Sequence, residues 1–102
     1  GLDTEADSLH CYREKICLVQ VSSPEGGWLI DPLSGLDLSA FYSSLTRHRI
    51  IIHGADYDLR LLARHGSFHA GDIFDTSIAA RFLGLEQIGY GALVQQFFGV
   101  TL

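Results

Sequence analysis

Asp3, Glu5 and Asp7 stand at alternate positions of "LDTEAD", residues 2–7. In an extended strand residues i and i+2 point to one face, so Asp3 and Glu5 project together while Leu2 and Thr4 project the other way. Neighbouring unpaired carboxylates repel. Either one takes up a proton or both hold a cation. A third carboxylate has a route to the same place. Asp58 follows the short apolar run Arg49–His53, "RIIIH", and falls in the first turn of the helical stretch Asp56–His65, "DYDLRLLARH". That puts it at the carboxyl edge of a sheet, where a carboxylate also suits the positive end of a helix dipole. Three carboxylates delivered by two strand ends are hard oxygen ligands, the donor set of Mg²⁺ or Mn²⁺.

Plainer readings stand beside this one. Asp3, Glu5, Asp7 and Glu14 occupy the spacing of a calcium loop. Ser8 stands where such a loop requires glycine, and a strand rather than a helix follows, so that reading is set aside and Asp7 is taken as a turn residue. Asp56 is expected to cap the helix that carries Asp58, and Asp72 and Asp75 to serve as caps or turn residues. His53 and Tyr57 flank the acidic site in sequence. His53 is a candidate substrate contact at its rim or a hydrogen-bonded structural histidine. Tyr57 is a candidate platform for a base or a half-buried aromatic. Arg60 and Arg64, one helical turn apart, form a solvated face or meet phosphate. Phe97 and Phe98 read as core or interface.

The elements that must position these groups are strand-rich first and helix-rich later. Lys15–Ser22, "KICLVQVS", is a strand, followed by the turn "SPEGG" and a hairpin partner in Gly27–Asp31, "GWLID". "SGLDLSAFYSSL" at 34–45 reads as loop then short helix, with Ser39 as its cap. "RIIIH" has the pattern of a buried strand. In the helix after it Leu59, Leu62 and Ala63 share a face, and Gly66 is its stop. Asp72–Phe74 is a short strand. Asp75–Leu83 is a helix capped by Asp75, and Gly91–Phe98 is a last helix ended by Gly99. This order fits a mixed α/β sheet with flanking helices, in which ligands favour the carboxyl ends of strands.

Bulk properties narrow the function. The 102 residues make one domain, 47% hydrophobic and 19% charged, within globular ranges. Seven Lys and Arg against twelve Asp and Glu give a net charge of −5. That argues against strong nucleic-acid binding by the chain's own charge, since phosphate neutralisation needs basic side chains. Divalent cations can reverse the sign at one site. No apolar run has the length of a membrane span, and the acidic first residues lack the form of a signal peptide. Cys11 and Cys17, without CxxC spacing, read as small hydrophobes in a reducing, cytoplasmic compartment. A mean hydropathy of +0.19 and apolar residues at both ends lead us to expect an excerpt of a longer protein.

The constellation resembles the DEDD-type 3′–5′ exonucleases, most closely the ribonuclease D-like branch. "LDTEAD" at 2–7 is similar to that family's first motif, and "IHGADYDLRLL" at 52–62 to its second. "CLVQVS" at 17–22, "LIDPL" at 29–33 and "FDTSIAARFLG" at 74–84 resemble its other recurrent stretches, in the family's order. The resemblance implies a ribonuclease H-like fold over residues 1–102 and two-metal hydrolysis of phosphodiester bonds from a 3′ end, of RNA before DNA. It implies that Asp3 bridges two Mg²⁺ or Mn²⁺ ions, that Glu5 ligates the ion holding the nucleophilic water, and that Asp58 helps hold the second.

One family feature is missing. The third motif sets a Tyr or His a few residues before a fourth carboxylate. No tyrosine here precedes an Asp by four residues: Tyr12, Tyr42, Tyr57 and Tyr90 lead to Ile16, Thr46, Leu61 and Val94. His53 and Asp58 match the histidine spacing, but that assignment would consume the second motif. The resemblance therefore implies an amino-terminal portion of the nuclease domain, weak or inactive alone. It also leads us to expect open apolar surface near "ALVQQFFGVTL" and a homodimer through that end. The rival class is a non-catalytic interaction module that keeps the nuclease fold without its chemistry.

Overall fold

The antiparallel ladder that carries Asp3 and Glu5 begins at the first residue. In this computed structural model, which describes residues 1–7, 13–66 and 68–102, the Gly1 amino group donates to the Ser22 carbonyl and Ser22 N–H donates to the Gly1 carbonyl, at 2.7 and 2.9 Å. Strand β1 (Leu2–Asp7) then pairs antiparallel with β2 (Lys15–Ser23), which pairs in turn with β3 (Gly26–Ile30). Leu2 and Thr4 are buried; Asp3 and Glu5 are exposed on the other face, as the alternation predicts. Asp7 is not a turn residue. It is the last residue of β1, opposite Lys15, where unlike charges across a ladder are favourable. The paired strand conformation also rules out the calcium loop. Ser8, Cys11 and Tyr12 lie outside the described residues.

The second sheet is parallel. Strand β4 (Arg49–Ile52) pairs with β5 (Asp72–Asp75) in the register Ile50↔Ile73 and Ile52↔Asp75. β4 lies against β1, so the two sheets adjoin. Helix α1 (Ser39–Leu45) joins β3 to β4 and α2 (Ala55–His65) joins β4 to β5; α3 (Thr76–Phe82) and α4 (Tyr90–Phe98) follow. The core gathers Leu2, Ile16, Val19, Ile50, Ile52, Leu61 and Leu62, with Tyr42 and Phe68 closing it. The expected mixed α/β architecture is present.

Three local expectations need correction. Ser39 is the first residue of α1, not its cap; Asp37 Oδ1 accepts the Ser39 N–H at 2.9 Å, because its side chain reaches two residues ahead. Asp56 does not cap α2. The position before the helix is Gly54, in the left-handed region at φ 73°, and Asp56 pairs with Arg60 one turn on. The buried face of α2 holds Ala55, Asp58, Leu61 and Leu62, whereas Ala63 is exposed. Gly66 does end α2, in an extended conformation; a side chain there would strike the Tyr42 ring, at 2.9 Å.

Candidate active site

Thr4 sits between Asp3 and Glu5 and faces away from them. Gly1 and Ser22 exchange both backbone hydrogen bonds, so by antiparallel alternation the N–H of Thr4 points away from β2. A carboxylate meets it there. Asp58 Oδ1 accepts the Thr4 N–H at 2.9 Å and the Thr4 hydroxyl at 2.5 Å. Asp58 is 5% exposed, and these two donors offset the cost of burying it. Residues 54 apart in sequence are thus locked together, and Asp58 comes near enough to Asp3 for its charge to be felt there. Helix α2 makes this possible: Asp58 lies at the end of its first turn, and the helix packs on β1 and β2.

The electrostatics carry the mark of crowding. The Asp3 carboxyl is pushed above the ordinary Asp value, first by partial burial and then by the negative charges of Asp58 and Glu5, against a lowering hydrogen bond from the Thr4 backbone. Gln20 Nε2 donates to Asp3 Oδ2 at 3.3 Å, a neutral donor for a carboxylate facing two like charges.

The ladder slips where Glu5 gives way to Ala6. Glu5 opposes Leu18 but Ala6 opposes Ile16, so Cys17 is the extra residue of a β-bulge. Its thiol donates to the Glu5 carbonyl at 3.3 Å. Bulges re-aim side chains and increase twist. Here the bulge ends the Asp3–Glu5 line, and Asp7 continues half-buried. Cys17 is half-buried with a free thiol, a wetter place than a core hydrophobe would take.

His53 follows the last residue of β4. Thr76 Oγ1 donates to the Ile52 carbonyl at 3.2 Å and lies 2.9 Å from His53 Nδ1. A hydroxyl has one proton. With that proton on Ile52, Nδ1–H is the donor to Thr76 and Nε2 is left unprotonated in the neutral ring. The His53 ring also stands 5.6 Å from that of Tyr90. Tyr57, in the first turn of α2, is 44% exposed. It lines a small recess of about 220 Å³ with Glu14, Arg60, Leu61 and Arg64. Its phenol is pushed up by partial desolvation and by Glu14 and Asp58, with Arg64 opposing. Arg60 and Arg64 are engaged with Asp56 and Glu14. A larger recess of about 620 Å³ lies between α1 and the segment before it, lined by Leu33, Leu36 and Tyr42, and includes none of the three acids.

The donor set fits a hard divalent cation. Asp58 spends Oδ1 on Thr4 and keeps Oδ2, and Asp3 carries a repulsion that a cation relieves. Among the described residues, however, no three His, Cys, Asp or Glu side chains are grouped so as to hold a metal ion. Also among the described residues, no helix is long and apolar enough to cross a membrane.

Residues 1–102 match a family model described as 3′-5′ exonuclease. A ribonuclease D from Sphingobium indicum is 38% identical over 107 residues, covering 100% of this chain and 28% of that protein. The crystal structure of Escherichia coli RNase D, an exoribonuclease involved in structured RNA processing, is similar with a TM-score of 0.87 and 30% identity, over 99% of this chain and 28% of that one. Brucella melitensis NrnC with bound Mg²⁺ shares the fold, with a TM-score of 0.82 at 22% identity over 99% of this chain and 53% of that one. The chain thus spans less than a third of the length of the ribonuclease D proteins it resembles.

Proposed function

Because this chain belongs to the 3′-5′ exonuclease family, we propose that it is the acidic portion of a ribonuclease D-type nuclease domain, hydrolysing phosphodiester bonds at an RNA 3′ end. One observation carries this reading. Asp58 is hydrogen-bonded to Thr4, the residue between Asp3 and Glu5, and the charges of Asp58 and Glu5 both bear on Asp3. Asp3, Glu5 and Asp58 are the residues that would hold Mg²⁺ or Mn²⁺. Bound ions of this kind supply an activated water and neutralise charge on the departing 3′ oxygen.

The chain's own residues do the rest. Thr4 fixes the rotation of Asp58 and leaves one oxygen of its carboxylate free. His53, held through Nδ1, offers Nε2 as an acceptor to a sugar hydroxyl. The exposed Tyr57 ring offers a face for a base. RNA is favoured over DNA on the likeness to ribonuclease D. A role in RNA processing rests on the same likeness. A cytoplasmic site of action fits the free Cys17 thiol.

The fourth acid of the family's set has no counterpart among the 102 residues. Removing one member of an interdependent catalytic group costs orders of magnitude, so this chain alone should trim RNA slowly. The test is a 5′-labelled RNA incubated with the chain at high concentration. A faint ladder receding from the 3′ end, dependent on Mn²⁺ or Mg²⁺ and absent in Asp3→Ala, is expected. Cleavage without metal, or cleavage unchanged by Asp3→Ala, would overturn the reading. We also propose self-association as a homodimer through the carboxyl-terminal end. The last helix has no buried residue, and Phe97, Phe98, Val100 and Leu102 are all exposed. Sedimentation of a clean monomer at high concentration contradicts it.

A further inference from the structure

Helix α2 has no cap of its own. Gly54 precedes it and has no side chain to offer, yet the first N–H groups of a helix need acceptors. The acceptor comes from 20 residues further on. Asp75 Oδ2 accepts the Ala55 N–H at 2.7 Å, and Oδ1 accepts the Gly54 N–H at 3.1 Å. The same Oδ1 accepts Ser77 N–H and Ser77 Oγ–H at 2.8 Å each and Ile78 N–H at 3.3 Å, which caps α3. One carboxylate therefore serves two helix starts. The parallel register is the cause: Ile52 and Asp75 are paired, so both strands end at the same height and both helices leave from there. Thr76 adds a second tie between the same junctions through the Ile52 carbonyl.

The consequence reaches the acidic site. Asp58 is three residues beyond Ala55 on a rigid turn, and its only hydrogen-bond donors in the described structure are those of Thr4. The axial height and rotation of the first turn of α2 decide whether Oδ1 meets Thr4. We propose that Asp75 is a positioning residue for Asp58: by capping α2 and α3 together it sets where the Asp58 carboxylate meets β1. Its bearing on catalysis rests on the reading of Asp58 as a metal ligand, but its geometry does not.

The test is amide hydrogen exchange of the 102-residue chain, in metal-free buffer, for wild type, Asp75→Asn and Asp75→Ala. Asn keeps one acceptor oxygen and loses the other. A merely structural role lowers the protection of all globally exchanging amides alike. A positioning role lowers protection at Thr4 more than at Val19, whose amide points to β3 and reports global opening of the sheet. We expect an excess loss at Thr4 of about five- to tenfold in Asp75→Ala, the worth of one helix cap, and a smaller excess in Asp75→Asn. Should the alanine variant not fold, the asparagine variant decides alone. Equal changes at Thr4 and Val19, or none at Thr4, overturn the proposal. The readout uses neither metal nor RNA, so its failure is distinct from failure of the nuclease reading.

Discussion

The hydroxyl and backbone N–H of Thr4 both donate to the same oxygen of Asp58, at 2.5 and 2.9 Å, across 54 residues of sequence. The middle residue of the acidic triplet is thus the one that brings the third acid to the other two. Asp58 is buried, so each donor it loses leaves charge poorly solvated. Thr4→Val removes the hydroxyl and keeps the shape. It should destabilise the chain by about 1–3 kcal/mol, the cost of depriving a buried charged acceptor, and Thr4→Ser should restore most of it. Urea denaturation measures both. A Thr4→Val variant as stable as wild type would show that the hydroxyl bond is not made.

Partial burial of Asp3, together with the charges of Asp58 and Glu5, makes a prediction of opposite sign. Its folded pKa lies above its unfolded one, so ionised Asp3 costs stability above the folded pKa, and the cost fades as pH falls through it. Asp3 is solvated, which screens the effect. Asp3→Asn should therefore stabilise the metal-free chain at pH 7 by about 0.5 kcal/mol, on the scale of exposed charge interactions. The gain should vanish at acid pH. Thermal melts at pH 7 and pH 3 check this, and a destabilised Asp3→Asn at pH 7 contradicts it.

Asp75 shifts the other way. Burial pushes its carboxyl up, but the donors from Ala55, Ser77 and Gly54 outweigh it and hold the group well below the usual carboxylate range. A depressed folded pKa gives stability that is present above the unfolded value of about 3.9 and lost as pH falls below it. Wild type should weaken in acid partly on this account. Asp75→Asn lacks that contribution at every pH, so its stability should fall less steeply below about pH 4. Urea midpoints from pH 6 to pH 2.5 measure it, with parallel curves as the contrary result.

What was legible in the sequence was local. Period-two alternation in "LDTEAD", the β-branched, turn-bounded "KICLVQVS" and the unbroken apolar run of "RIIIH" placed β1, β2 and β4, because these signals are set by the strand itself. Asp75 as the cap of α3 was legible for the same reason: its partners lie two and three residues on. The second half of its role was not, since Gly54 and Ala55 come from another strand end. The bulge at Cys17 was equally hidden, because register is settled between two strands and leaves no mark on either. Asp72 shows the same limit. Read as a cap or turn residue, it is paired with Arg49 across the parallel ladder at 2.6 Å. The family motifs brought Asp3, Glu5 and Asp58 together on paper, yet nothing in them indicated that Thr4 would be the link.

Asp3, Glu5 and Asp58 are proposed to share one divalent-cation site. Paramagnetic broadening by Mn²⁺, mapped over the amides of the 102-residue chain, tests it most directly. Weak binding is expected, because no three acids among the described residues are grouped to hold an ion, with broadening centred on residues 3–5 and 57–59 and removed by Asp3→Asn. Broadening centred elsewhere, such as at Asp56 and Asp72, or left unchanged in Asp3→Asn, would contradict it.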